Sequence, residues 1–398
     1  MKIARLEIEG FRSLRKVIWE PGDLNVLIGP NGSGKSNLLR FLELMAVSAQ
    51  GRLGKYIQSL GGMYPIVWDG VADSIKFSLD IIPDGNELGL NHYELELTRL
   101  GTGSSYKINR ELLTGIDHFK FIERKSTSAV VRMNYKLLPN TENDTYTPFI
   151  ISEESLDEEE AFLDQVAAYS GMDDDFYPYT DFRDSLASIA IYHDLRTDRD
   201  AAIRQPVITS FDNRVESDGR NLISVLHTLY TSDRDFKRDI NAAMSAAFGD
   251  DYDELVFPPA SDQRIQLRIR WKSLKREQSA ADLSDGTLRF LFLLTVLAHP
   301  TPPDVIAIDE PETGLHPSML SIIAEFAQEA AMRSQIILTT HSPQFLDAFT
   351  ESTPTTTVAQ IANGETILCT LPSDELEYWL KNYSMGALFR SGELELMA

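Results

Sequence analysis

One cysteine, Cys369, stands among 398 residues. It excludes an internal disulfide and a thiolate zinc site, and it suits a reducing cytosol. Long apolar runs are also missing. The most hydrophobic stretch, Phe290–Ala298, is nine residues and too short to cross a bilayer, and the opening Met1–Phe11 alternates charged and apolar residues with no secretory core. Positive charge is scarce: 37 Lys plus Arg stand against 60 Asp plus Glu, a net charge of −23. Such a surface repels phosphate backbones at long range, so nucleic acid could be met only through a local basic patch. There is no 20–50-residue repeat and no sustained heptad, which excludes solenoids and long coiled coils. The chain is hydrophobic enough (43%) to bury a core, with room for two to three domains or one core with inserted lobes. A soluble, cytoplasmic protein is expected.

Two strands open the chain. Ile3, Leu6, Ile8 and Phe11 interleave with Lys2, Arg5, Glu7 and Glu9, and Leu24–Ile28 reads as a buried strand running into Gly29-Pro30-Asn31-Gly32-Ser33-Gly34-Lys35-Ser36. Asn37–Met45 then has helical spacing. From 51 to 150 short alternating segments, such as Ser74–Ile82, His92–Leu100 and Tyr106–Leu112, predict an antiparallel β-rich lobe, the last two joined through Gly101-Thr102-Gly103. Residues 153–184 hold twelve Asp or Glu against Arg183 alone and read as a solvated excursion. Asp173-Asp174-Asp175 is a poor metal site, because consecutive side chains cannot all point inward. Strand character returns at Ser188–Tyr192. Helices follow near 218–231 and 233–248, then an alternating strand at Arg264–Lys272. Helix (285–298), strand (304–308), helix (317–332), strand (335–340) and a hairpin turning at Asn363-Gly364 complete the chain. The expected divisions are 1–50, 51–185, 186–280, 281–350 and 351–398.

Four segments carry chemistry. Gly29 to Ser36 is G-x-x-x-x-G-K-S between a strand and a helix; its amides and the helix N-terminus suit phosphate oxygens, Lys35 the β- and γ-phosphates, and Ser36 Mg²⁺. Val305–Ile308 ends in Asp309-Glu310, which places two carboxylates at a sheet edge. Asp309 suits Mg²⁺ through water, and Glu310 suits the attacking water. Leu283-Ser284-Asp285-Gly286-Thr287 opens a helix, either as a plain N-cap or as a second anion nest. Ile336–Thr340 delivers His341 to the same edge as Glu310, either to sense a γ-phosphate or to cap the helix at Ser342-Pro343.

In this order the segments resemble ABC-class ATPases. More narrowly, Leu6–Leu14, Asn31–Asn37, Leu283–Arg289, Ile308–Pro317 and Thr340–Pro343 resemble the RecF/SMC-like branch and stand-alone ATPases related to the OLD family. The resemblance implies an α/β fold: an ABC-type P-loop NTPase head with a mixed or parallel sheet flanked by helices, an antiparallel β-rich lobe and a helical lobe. It implies ATP and Mg²⁺ as cofactors, held by Asn31, Gly32, Ser33, Gly34, Lys35, Ser36 and Asn37, with Ser36 and Asp309 serving the metal. Two heads would sandwich two ATPs, with Ser284 and Gly286 of one on the γ-phosphate of the other, and Glu312–His316 as the D-loop between them. Glu310 would be the general base and His341 the switch. Asp285 and Thr287 replace the Gly and Gln usual in transporters. Gln58 and Gln50 are the candidates for the Q-loop, neither in a clear strand-end context.

Asn37, the Gly10-Phe11-Arg12 opening and the long inserted lobes disfavour a transporter head, and SMC arms are absent. The 57 residues after His341 are expected to be too few for the Toprim nuclease of OLD proteins. Output would then pass through DNA or through a partner. The best DNA patch is Arg264, Arg268, Arg270 and Lys272 on one alternating strand, with Lys275 and Arg276 following, against the reading of a solvated face on an acidic protein. Two expectations stand: a slow, dimeric ATPase head in DNA maintenance or repair, or a nucleotide-gated module controlling an effector such as a nuclease in anti-phage defence.

Overall fold

The computed structural model describes residues 1–82, 89–101, 104–115, 118–126, 128–134, 146–151, 156–169, 177–193, 195–208, 210–260, 263–350 and 352–398. Along the chain these form β1 (Lys2–Phe11), β2 (Leu14–Trp19), β3 (Leu24–Ile28), α1 (Lys35–Ala49), α2 (Leu53–Ser59), β4 (Ser74–Ile82), β5 (Leu90–Arg99), β6 (Tyr106–Gly115), β7 (Lys120–Lys125), β8 (Ser128–Asn134) and β9 (Tyr146–Ile151). Then come α3 (Phe162–Tyr169), α4 (Tyr177–Ala187), β10 (Ala190–Tyr192), β11 (Val207–Ile208), α5 (Leu222–Ser232), α6 (Arg234–Phe248), β12 (Tyr252–Val256), β13 (Arg264–Ile265), β14 (Arg268–Trp271) and β15 (Gln278–Ser279). The last part holds α7 (Asp285–Leu297), β16 (Val305–Asp309), α8 (Pro317–Ala331), β17 (Gln335–Thr339), α9 (Pro343–Leu346), β18 (Thr355–Ala362), β19 (Glu365–Thr370), α10 (Ser373–Leu380), α11 (Met385–Ser391) and α12 (Glu393–Leu396).

A six-stranded sheet in the order β10-β16-β17-β3-β18-β19 carries the motif loops. Its first five strands are parallel and β19 closes it antiparallel. The central strands are apolar throughout because both faces are covered. Val26, Ile306, Ile336 and Leu338 belong to one core, with α5 to α9; Leu27, Val305, Ala307 and Ile337 belong to a second, with α1. The period-2 alternation thus divides one sheet between two cores.

The second sheet runs β2-β1-β4-β5-β6-β7-β8-β9, antiparallel throughout. It contains the expected β-rich segments and begins with the first two strands of the chain. Phe11, Phe41 and Phe77 stack edge to face between this sheet and α1. Thr102-Gly103 and Asp173-Asp174-Asp175 lie outside the described residues.

The acidic block corrects one expectation. Its described part packs, since Ala161, Phe162, Leu163, Val166, Tyr179 and Phe182 are buried against the second core. The reason is a buried carboxylate. Glu111 accepts from the N–H of Phe162 (2.6 Å) and Leu163 (2.8 Å) at the start of α3, and from the Tyr93 hydroxyl (2.9 Å). Arg124, also fully buried, donates to the carbonyls of Glu160 (2.9 Å) and Asp157 (2.7 Å). The apolar side chains of this segment pack while Asp157, Glu158 and Glu159 stay exposed, because β6 and β7 supply partners for its backbone.

The basic strand is a second correction. Arg264 lies on β13, paired with β11, whereas Arg268 and Arg270 lie on β14, between β12 and β15. Arg270 is held by Glu254 and by Glu277 (2.8 Å), Arg268 reaches Glu277 at 3.8 Å, and Lys272 donates to the Asp250 carbonyl (2.7 Å). These four residues do not form one free cationic face.

Candidate nucleotide site

Parallel pairing brings the motif loops together. Ile308 is level with Tyr192 and Leu338, and Thr339 with Leu27, so β10, β16, β17 and β3 end on one edge. In open α/β sheets ligands bind at this carboxyl edge.

The loop after β3 turns through Gly29 (φ 142°), Gly32 (82°) and Gly34 (99°). Only glycine fits at two of these. A Cβ on Gly29 would stand 2.2 Å from the Ala359 carbonyl oxygen, and one on Gly34 would stand 2.0 Å from the Thr366 hydroxyl. Both neighbours belong to the β18–β19 hairpin, so the C-terminal strands wall the loop. Thr366 Oγ1 also donates to the Ser33 carbonyl (3.1 Å) and meets Ser13 Oγ (2.7 Å), which accepts from Asn37 Nδ2 (2.8 Å). The tip of the β1–β2 hairpin, the loop and α1 are therefore clamped together. Asn31 and Gly32 are exposed at the loop's crest.

Lys35 Nζ, almost fully buried, donates to the carbonyls of Gly29 (2.7 Å) and Pro30 (3.1 Å). Burial pushes its pKa down, against the pull of Glu310, Asp309 and Glu312. Ser36 Oγ donates to Asp309 Oδ2 at 3.0 Å, and the Thr339 hydroxyl donates to Asp309 Oδ1. Two hard oxygen donors side by side suit Mg²⁺. The Ser33 hydroxyl is buried with no hydrogen-bond partner among the described residues, a donor that a phosphate oxygen would satisfy. The residues present thus fit a magnesium-bound triphosphate.

Glu310 has φ 46°, uncommon for a non-glycine residue. Its N–H is held by the Thr339 carbonyl (3.2 Å) and hydroxyl (3.1 Å), and its Oε1 lies 3.0 Å from His341 Nδ1. The two residues expected to act on water and phosphate are therefore in contact.

Ser284 and Gly286 are placed differently. Ser284 Oγ accepts from Thr287 N (3.1 Å) and caps α7, as the plain N-cap reading predicted. A Cβ on Gly286 would lie 2.6 Å from the Gly314 carbonyl oxygen, so this helix start abuts the Glu312–His316 turn of its own chain. Arg204, buried, gathers the segment: it donates to the carbonyls of Thr197 (2.8 Å) and Leu283 (2.6 Å) and pairs with Asp285. Nothing local in the sequence marks Arg204, which lies 81 residues from Asp285. Thr339 and Thr340 were legible only as polar residues ending an apolar strand.

Gln50 donates to the Ala187 carbonyl (2.6 Å), and Gln58 lines a separate cleft with Ser104, Ser105, Glu159 and Glu160. The residue that follows β10 beside Asp309 is His193, which lines a small cleft with Arg289, Asp309 and Glu310. It had no motif to announce it.

Residues 24–347 match the profile of the family described as "AAA domain, putative AbiEii toxin, Type IV TA system". The chain belongs to that family. No curated protein matches the sequence. Among solved structures, an SMC head bound to the C-winged helix domain of ScpA is similar over 95% of this chain and 100% of its own, with a TM-score of 0.55 at 12% identity. An SMC head domain from Thermotoga maritima (94% and 100%, TM-score 0.45, 16% identity) is also similar. So is an SMC head with an extended coiled coil bound to the C-terminal domain of ScpA, derived from Pyrococcus furiosus (96% and 98%, 0.49, 11%). The first likeness establishes the fold of this AAA-family chain as a P-loop NTPase head of the SMC type. No helix among the described residues is long and apolar enough to cross a membrane.

Proposed function

We propose that this chain binds Mg²⁺·ATP on the Gly29–Asn37 loop, hydrolyses it slowly, and does so as a dimer whose second copy presents Ser284 and Gly286 to the nucleotide. The observation that carries the reading is the convergence of Lys35, Ser36, Asp309, Glu310 and His341 on one sheet edge. Bound Mg²⁺ would supply charge neutralisation between the phosphates. Ser36 and Asp309 would hold it, Lys35 would exchange its two carbonyl partners for phosphate oxygens, and Glu310 would take the proton of the attacking water. His341, held at Glu310, would report the occupied state. Ser284 Oγ serves its own helix cap only as an acceptor and is exposed, so a second copy can reach it without unfolding anything.

The output favours a protein partner over direct DNA contact. Arg270 is bracketed by Glu254 and Glu277 and Arg268 reaches Glu277, so the two central cations of the strand are already paired on a chain of net charge −23. The family's description, a toxin of a toxin–antitoxin system, points the same way, toward a nucleotide-gated module acting with an effector in the cytoplasm. The test is steady-state hydrolysis with nucleotide binding and mass measured separately. E310Q should keep ATP and double in mass, with kcat lowered by roughly 10²- to 10⁴-fold; K35A should lose ATP. A wild-type protein that ignores ATP refutes the reading. Stimulation by duplex DNA that R268E/R270E abolishes would overturn the preference for a protein partner.

A further inference from the structure

The turn after β16 folds back on itself: Thr313 N–H donates to the Glu310 carbonyl (3.0 Å) and Leu315 N–H to that of Glu312 (3.1 Å). From this turn the Glu312 carboxylate crosses to the segment that follows β17. Its Oε1 accepts from the Thr340 hydroxyl and from the His341 N–H (3.4 Å). Thr340 is fully buried and its own N–H donates to the Leu27 carbonyl (3.0 Å), which ties the segment to β3 directly beneath the phosphate loop. His341 then returns to Glu310 at 3.0 Å. The result is a closed circuit: Glu310 leads through the turn to Glu312, Glu312 through hydrogen bonds to Thr340 and His341, and His341 back to Glu310.

Two facts say that this carboxylate does more than fill space. Its Oε2 is buried without a hydrogen-bond partner among the described residues, a cost that an apolar side chain would avoid if the turn only had to pack. The far side of the same turn touches the start of α7, where the Gly314 carbonyl oxygen closes on Gly286 and the Arg289 side chain lies over Gly314. Glu312 therefore joins the loop of the general base, the loop of the switch histidine and, through its turn, the Ser284 segment.

We propose that Glu312 is a positioning residue for hydrolysis, its carboxylate locking the Thr340–His341 segment to the Glu310 turn so that His341 stays seated on Glu310. This rests on the reading that the site hydrolyses ATP. Its role is to hold geometry, so an uncharged acceptor serves. In nucleotide-free protein, E312A should move the His341 imidazole resonances, whereas E312Q, which keeps the carbonyl acceptor, should leave them near the wild-type positions. In steady state E312A should lower kcat roughly 10- to 100-fold, the scale of a misplaced catalytic group, with ATP affinity within about twofold of wild type and E312Q restoring most of the rate. T340V, which removes the donor instead, should reproduce E312A, and the double variant should be no worse than either alone. Unmoved His341 resonances in E312A overturn the proposal whether or not the wild type hydrolyses ATP. So does a wild-type kcat in E312A, or an E312Q as impaired as E312A. A wild type without hydrolysis whose His341 resonances do respond refutes the ATPase reading, and with it the role in hydrolysis, and leaves only the seating of His341 by Glu312 standing.

Discussion

Replacing Thr339 by valine tests the site at a residue with no expected catalytic part. The Thr339 side chain is fully buried at the end of β17, donates to Asp309 Oδ1 and accepts the Glu310 N–H at 3.1 Å. Valine keeps the branched shape a strand favours but removes both bonds. A hydrogen bond to a charged acceptor contributes about 1.5–3 kcal/mol, and because Asp309 is half-buried, water restores part of it, so the loss sits near 1.5 kcal/mol. A chain of this length unfolds with an entropy of roughly 0.8 kcal/mol/K, so Tm should fall by only about 2 °C. The functional effect should be larger. Asp309 would keep Ser36 on Oδ2 and lose its anchor on Oδ1, and removing such an outer partner of a metal ligand weakens metal binding by about 10- to 100-fold. The assay is hydrolysis titrated with Mg²⁺, alongside ATP binding in EDTA. T339V should need roughly tenfold more Mg²⁺ for half-maximal rate while binding metal-free ATP normally, and T339S should behave as wild type. A T339V protein with an unchanged Mg²⁺ requirement would refute the reasoning, as would one that also loses metal-free ATP.

Two further expectations concern the second sheet. E111A strands the Tyr93 hydroxyl and the Phe162 and Leu163 amides in the core, so it should lower stability by about 3 kcal/mol or more in urea unfolding and expose α3 to hydrogen exchange; a loss below about 1 kcal/mol would remove the account of why the acidic block packs. His92 lies between Glu94 (3.1 Å) and Asp80 (2.5 Å), and the hydrogen bond it donates to Glu94, then that to Asp80, raises its pKa against the opposing effect of burial. Its contribution is therefore full below the ordinary histidine value near 6.5 and is lost as pH rises through the raised one. Since the side chain is partly exposed, the effect is under about 1 kcal/mol. The Tm difference between wild type and H92N should shrink from pH 5 to 9, and a flat or growing difference would contradict the assignment.

The strand, glycine turn and helix around Lys35, the apolar strand ending in Asp309-Glu310 and the strand delivering His341 were legible in the amino-acid order. Each is a local pattern: strand alternation, glycine conformations and helix starts depend on neighbours within a few residues. The antiparallel segments from Ser74 onward were legible for the same reason. What the tertiary structure alone decided is which distant groups face one another. Thr366 clamps the phosphate loop from 333 residues away, Glu312 reaches Thr340 across α8 and β17, and Arg204 organises the Ser284 segment from another part of the chain. The acidic block and the basic strand make the point in opposite directions. Glu111 and Arg124 packed a segment that composition assigned to solvent, while Glu254 and Glu277 neutralised cations that composition offered to DNA. The free energy of a charge is set by what lies within a few ångströms of it, and sequence spacing does not carry that distance.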